Sequence, residues 1–262
     1  MQGQNQQQAY DRGITIFSPD GRLYQVEYAR EAVKRGTSSI GVRTEGGVVL
    51  AVDKRIRSPL MERSSVEKIH EVDDHIGIAS AGHVADARQL IDLARRRAQI
   101  NFLRYDEPIG VETLTKEITD HIQQYTQIGG ARPFGVALII AGIADVEPRL
   151  YETDPSGTPY EWKALAVGAD RADTRAYLEE HYDEELDLEG GVALALEALA
   201  SVNDDELAPE AVGLATVDVE TEQFHHLSDE EVETHLTALK LLPSDDADAD
   251  DADESETQGE DE

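Results

Sequence analysis

The stretch FGVALIIAG, residues 134–142, constrains the fold more than any other part of the chain. It carries no polar side chain, so as a strand it has no face to offer water and suits a place covered on both sides. The rest of the chain supplies the cover. Before it come two short strands, TSSIGVR and GVVLAVD, joined by the turn Thr44-Glu45-Gly46-Gly47, and a third from Ile76 to Ser80. Two amphipathic helices follow at 84–104 and 111–127. After it, RLYETDPSGTPYEWKALAVG reads as a hairpin around Pro155-Ser156-Gly157, then helices at 170–182 and 188–203, a strand AVGLATVDV and a last helix at 228–240. Strands and helix pairs in this order specify an α+β fold with two sheets sandwiched between helix layers. An additional helix lies upstream: LYQVEYAREAVKR places Leu23, Val26, Ala29 and Val33 on one face and stops at Gly36. No internal linker is long enough to split the chain into two domains.

Composition narrows the function. There is no cysteine, which removes disulfides, thiol catalysis and Cys-ligated zinc. Acidic residues outnumber basic ones 55 to 23, for a net charge of -32. The terminal stretch SDDADADDADESETQGEDE holds 11 of those acids, so 44 acids against 23 bases, about -21, remain on the body. An ordinary acidic protein would concentrate its excess in the tail. A body this acidic repels itself in dilute buffer, whereas molar salt screens charge to ~3 Å. The composition is that of a protein from a salt-rich cytoplasm, and nucleic acid and anionic membranes are poor partners for it. The start, MQGQNQQQAY, has neither the basic patch nor the apolar core of a leader, and no run reaches the ~18 apolar residues of a membrane span. Together these place the protein in the cytoplasm.

KRGTSSIGV, residues 34–42, poses the central chemical question. Thr37 after a glycine, at the head of a strand, has the form of an N-terminal nucleophile released by cleavage at Gly36-Thr37. Asp53, ending the second strand, and Lys68, in SVEKIHEVD, complete the residue set of such a hydrolase site. In such enzymes the freed α-amine, with an ordinary pKa of ~7.7–8.0, takes the hydroxyl proton. While Gly36 is attached, that base is an amide and has no useful basicity. Against a discarded propeptide stands the order upstream: the turn Ser18-Pro19-Asp20-Gly21, an amphipathic helix and paired tyrosines.

The segment YDRGITIFSPDGRLYQVEYAREAVKRG resembles the N-terminal signature of proteasome α-type subunits. VEKIHEVDDHIGIASAGHVADAR, ARPFGVALIIAG and RLYETDPSGTPYEWKALAVG also resemble archaeal α subunits, so the likeness runs from about residue 8 to about residue 240. It implies a sandwich of N-terminal-nucleophile hydrolase type, shared with catalytic β subunits, in which Thr37 is the inactive relative of their nucleophile and no residue of this chain is catalytic. It further implies a flexible gate segment (residues 1–12), an α-type domain (13–241) and a disordered acidic tail (242–262). Tyr10, Asp11 and Arg12 match the motif that closes the axial pore, and Pro19 and Tyr28 match positions that hold the reverse turn. Lys68 matches the lysine of an inter-subunit pocket that receives the C-termini of a regulatory AAA ATPase, and Gly82 the glycine that leaves room for them. Leu23, Glu27 and Arg30 shape the same pocket, while His83 stands where the family has an apolar residue. The implied partners are proteasome β subunits, neighbouring α subunits in a seven-membered ring, and the proteasome-activating nucleotidase or a related ATPase. No cofactor or metal is implied.

The alternatives are a threonine hydrolase matured at Gly36-Thr37 and a scaffold without a gate. Three further motifs carry less. Asp246 to Asp250 opens like an EF-hand loop, but Asp251 replaces its glycine and Thr257 its glutamate. His225-His226 lacks a second ligand pair at zinc spacing. Arg95-Arg96-Arg97, on so acidic a chain, reads as a contact for an acidic neighbour in an assembly.

Overall fold

The computed structural model describes residues 17–242, apart from 57, 59 and 204–206. The first described element is the turn at 18–21, closed by Gly21 N–H to Ser18 O at 2.8 Å. Helix α1 (Tyr24–Lys34) follows and buries Val26, Ala29 and Val33. Strands β1 (Ser39–Thr44) and β2 (Gly47–Asp53) form an antiparallel pair with Gly41 opposite Leu50. Strands β3 (Ile69–Asp73) and β4 (Ile76–Gly82) lead to helices α2 (Val84–Tyr105) and α3 (Val111–Tyr125). Then come β5 (Val136–Ala144), β6 (Glu147–Thr153), β7 (Pro159–Glu161) and β8 (Ala164–Val167). Helices α4 (Arg171–His181) and α5 (Leu188–Ala200), strands β9 (Val212–Asp218) and β10 (Phe224–His226), and helix α6 (Asp229–Leu239) complete the chain.

The strands form two five-stranded sheets, ordered β10-β9-β2-β1-β8 and β3-β4-β5-β6-β7, and neighbouring strands run antiparallel throughout. Three apolar layers hold them. Along β5, Val136, Leu138 and Ile140 point into the layer shared with α2 and α3, while Ala137, Ile139, Ala141 and Ile143 enter the layer between the sheets. Along β2, Val48, Leu50 and Val52 meet that central layer, and Val49 and Ala51 face the α5 side. A strand's period of two therefore divides each apolar run between two cores. Val33 of α1 reaches the central layer, so the N-terminal helix is part of the core.

Two features differ from expectation. The segment after β6 is a hairpin only as far as Glu161, because β8 leaves its neighbours and pairs with β1 in the other sheet, Ser39 opposite Val167. Trp162 and Lys163 carry the chain across. Strands β3 and β10, absent from the sequence reading, are short edge strands whose alternation is interrupted by polar residues, and β3 also changes register between Glu71 and Asp73. Among the described residues no helix is long and apolar enough to cross a membrane. The expected gate residues Tyr10, Asp11 and Arg12, the EF-hand-like run and all of the acidic tail but Leu242 lie outside the described residues.

Candidate functional site

Thr37, Asp53 and Lys68 meet at one end of the β1–β2 pair. The Thr37 hydroxyl donates to the Asp53 carbonyl at 2.6 Å and accepts from Lys68 Nζ at 2.6 Å. The same ammonium reaches the carbonyls of Thr37, Ser38 and Asp53, each at 3.0 Å. Three protons facing four acceptors leave none spare. Although Lys68 as a residue is only half-buried, its charged end is turned inward, and burial pushes its pKa down to about 7, opposed by the Asp53 carboxylate. Burial in turn raises Asp53, with Lys68 working against the rise.

These are the residue types of a nucleophile site without the base that would operate it. Thr37 is still bonded to Gly36, and the Gly36 carbonyl accepts from Ala169 N–H at 2.7 Å. Gly36 also lies against the end of β4, where a Cβ would sit 2.3 Å from Gly82 N. Gly82 has φ +119°, and a Cβ there would meet the Gly135 carbonyl at 2.4 Å. Both glycines are thus required by backbone packing, a reason independent of any inserted tail.

The other expected pocket residues are drawn elsewhere. Arg30 forks onto Asp154 (Nε to Oδ2 2.9 Å, Nη2 to Oδ1 2.9 Å) and holds Glu27 at 2.7 Å. Burial alone would raise Asp154, but Arg30 and Ser156 outweigh it and keep the carboxyl below its usual range. Arg30 lines a cavity of about 910 Å³ with Trp162, Arg171 and Arg175, whereas Lys68 lines a different one of about 360 Å³. Leu23 is the residue preceding α1 and is half-buried. Tyr28, half-exposed, lines a third cavity of about 280 Å³ with His83 and Arg132. Within one chain, therefore, Leu23, Glu27, Arg30, Lys68 and Gly82 are not gathered into a single cavity.

One cluster escaped the sequence reading. Asp86, buried in the first turn of α2, accepts from both Nη atoms of Arg132 (2.6 and 2.7 Å) and from Gly135 N–H at 2.8 Å, with His83 Nδ1 3.4 Å away. Burial pushes Asp86 up, yet these donors outweigh it and hold its pKa low. Its partners stand 46 and 49 residues away, which no local pattern reveals. Of the arginine run, Arg97 pairs with Glu117 at 3.2 Å and Arg95 donates to the Glu71 carbonyl at 2.9 Å. His225 is taken by Glu231 at 3.0 Å.

Two sheets face to face between helix layers, with a threonine and a lysine at the end of the first strand pair, define the class: the sandwich of N-terminal-nucleophile hydrolase type. The proteasome subunit family matches residues 33–217, and the N-terminal signature of A-type proteasome subunits matches residues 10–32. The chain is 80% identical to the proteasome alpha 1 subunit of Haloarcula marismortui over 98% of its own length and 100% of the relative's. It is 80% identical to the proteasome alpha subunit of Natronomonas pharaonis (96% and 99% covered) and 72% to the proteasome alpha 1 subunit of Haloferax volcanii (94% and 98%). The chain belongs to the α-type branch of the proteasome family. The salt-adapted character read from its acidic body agrees with the organisms of these relatives.

Proposed function

We propose that this chain is the non-catalytic α subunit of an archaeal 20S proteasome core, and that its work is done by the residues upstream of Thr37. Seven copies form the outer ring, template the β ring beneath it and leave peptide-bond cleavage to β-subunit threonines. The N-terminal segment, with Tyr10, Asp11 and Arg12 at its gate and Pro19 and Tyr28 holding the turn behind it, controls entry. Leu23, Glu27, Arg30, Lys68 and Gly82 lie on the walls of a docking pocket completed by a neighbouring subunit, into which the C-termini of an ATPase ring insert. A pocket shared between copies accords with the dispersal of these five residues over a single chain.

The observation that carries the reading is the state of Thr37: its nitrogen is locked in a peptide bond, and the helix before it is inserted in the core through Val26, Ala29 and Val33. Removing residues 1–36 would strip that core of three apolar side chains, so the extension is ill suited to being discarded. Deleting residues 2–12 is expected to speed degradation of an unfolded protein by the assembled particle, with its cleavage specificity unchanged; an unaltered rate would remove the gating role. The 2.6 Å contact between Thr37 Oγ1 and Lys68 Nζ is what favours the second reading, a threonine hydrolase. Intact mass of the subunit from its native assembly separates the two. A mass retaining residues 1–36 is expected, whereas a chain beginning at Thr37 would make it the enzyme.

A further inference from the structure

The cavity of about 360 Å³ lined by Lys68 is a cationic spot on a chain of net charge -32. Lys54, Arg63, Lys68 and Arg95 line it, against the carboxylates of Glu67 and Glu71. The state of each cation decides what the cavity can bind. Lys68 has spent its protons on Thr37, Ser38 and Asp53. Arg63 is paired with Glu210, and Arg95 donates its Nε to the Glu71 carbonyl. Lys54 differs: among the described residues its ammonium has no ion pair and no hydrogen bond.

Its backbone is nevertheless fixed. Lys54 N–H donates to the Ala211 carbonyl at 2.7 Å, and Lys54 directly follows Asp53, whose own carbonyl takes Lys68. Its stem lies across β9, with Cε 2.9 Å from where a Cβ on Gly213 would stand. An anchored backbone and stem carrying an unpaired ammonium at the lip of a cation-lined cavity form a receptor for one negative group. On a chain with more than twice as many acids as bases, leaving such a lysine without an internal partner marks it as reserved for an external one.

We infer that Lys54 is a further binding residue of the docking pocket and receives the terminal carboxylate of the inserted peptide. This rests on the docking reading given above. Lys68, whose protons are committed inward, lends its charge and fixes the β1–β2 ends that form the floor. The ligand class is a peptide with a free C-terminal carboxylate, and the contact is a short charge-assisted hydrogen bond, which persists in molar salt better than a long-range field does.

The test uses the assembled core particle in molar KCl. Its probe is a fluorescent peptide of the last ten residues of the same organism's proteasomal ATPase, made with a free carboxylate and as the C-terminal amide. Fluorescence anisotropy is expected to show Lys54→Met weakening the free-acid peptide about tenfold, the value of one charge-assisted contact, while leaving the amide unchanged. Lys54→Arg should recover most of the loss. Because Lys54 has no internal partner, the Met variant should assemble like the parent, which native mass spectrometry checks. Parental affinity for the free acid in Lys54→Met would overturn the assignment while leaving docking intact. If the unaltered particle binds acid and amide alike, or neither, the docking reading falls and this inference with it.

Discussion

The molecule buries charge in two contrasting ways, at Lys68 and at Asp86. Lys68 is surrounded by neutral acceptors, three backbone carbonyls and a hydroxyl, and its carboxylate neighbour Asp53 acts only through space. Asp86 has a full counter-ion, Arg132, in a two-toothed grip reinforced by Gly135 N–H. Burial works against both groups. At Lys68 it prevails and the pKa falls to about 7; at Asp86 the guanidinium prevails and the acid is held in its charged form. A buried ion is comfortable when its partner carries charge, and it is a poised one when its partners are only dipoles. The first arrangement fixes architecture, tying the start of α2 to the residues before β5. The second sits where an enzyme of this fold class would need a lysine able to give up its proton.

Breaking the Asp86 grip should have the larger effect. Asp86→Ala leaves the Gly135 amide and the Arg132 guanidinium without their acceptor. Hydrogen bonds to a charged group are each worth ~1.5–3 kcal/mol, and the exposed side of Arg132 recovers water, so a net loss of about 2 kcal/mol is expected. Urea denaturation in molar KCl would measure it, and an unshifted midpoint would mean the grip is ornamental. Because the folded-state pKa of Asp86 lies below its unfolded value, this stabilisation is fully present above ~3.9 and is lost as pH falls through the folded value. Parent and variant should therefore converge in acid.

How much of this could be read from the chain depends on how far apart the partners stand. The layered fold was legible because β2 and β5 are apolar on both faces, and a strand's alternation leaves no other solution. The Thr37–Asp53–Lys68 meeting was legible because all three lie at the ends of strands or beside them, within 31 residues. Arg30 was singled out, but its actual partner, Asp154, is 124 residues away in a turn whose DPSG sequence shows only that a turn exists. Asp86 gave no local signal at all, since an acid in the first turn of a helix is ordinarily a surface residue favoured by the helix dipole. The departure of β8 to the other sheet was equally hidden. ALAV alternates as any half-covered strand does, and only the position of β1 decides which sheet it joins.

The comparison is sharpened, with a smaller effect per pH unit, by Lys68→Met. The folded pKa of Lys68 is about 7 against 10.5 when unperturbed, so between those values the unfolded chain binds more protons than the folded one. Stability attributable to this residue must then rise with pH from about 7 to 10.5, with a slope no steeper than ~1.4 kcal/mol per unit. That is the opposite end of the pH scale from Asp86, and the sign follows from a base being lowered instead of an acid. Replacing the ammonium with a thioether stem removes the titrating group and should flatten the curve across this window. The substitution also strips donors from the carbonyls of Thr37, Ser38 and Asp53, a cost that is the same at every pH and shifts the curve without tilting it. Slope and offset can therefore be read separately from denaturation midpoints at pH 7, 8 and 9. A variant that keeps the parental slope would show that the rise belongs to other groups and that Lys68 holds its proton as firmly as a surface lysine does. The contrast with Asp86 would then reduce to geometry alone.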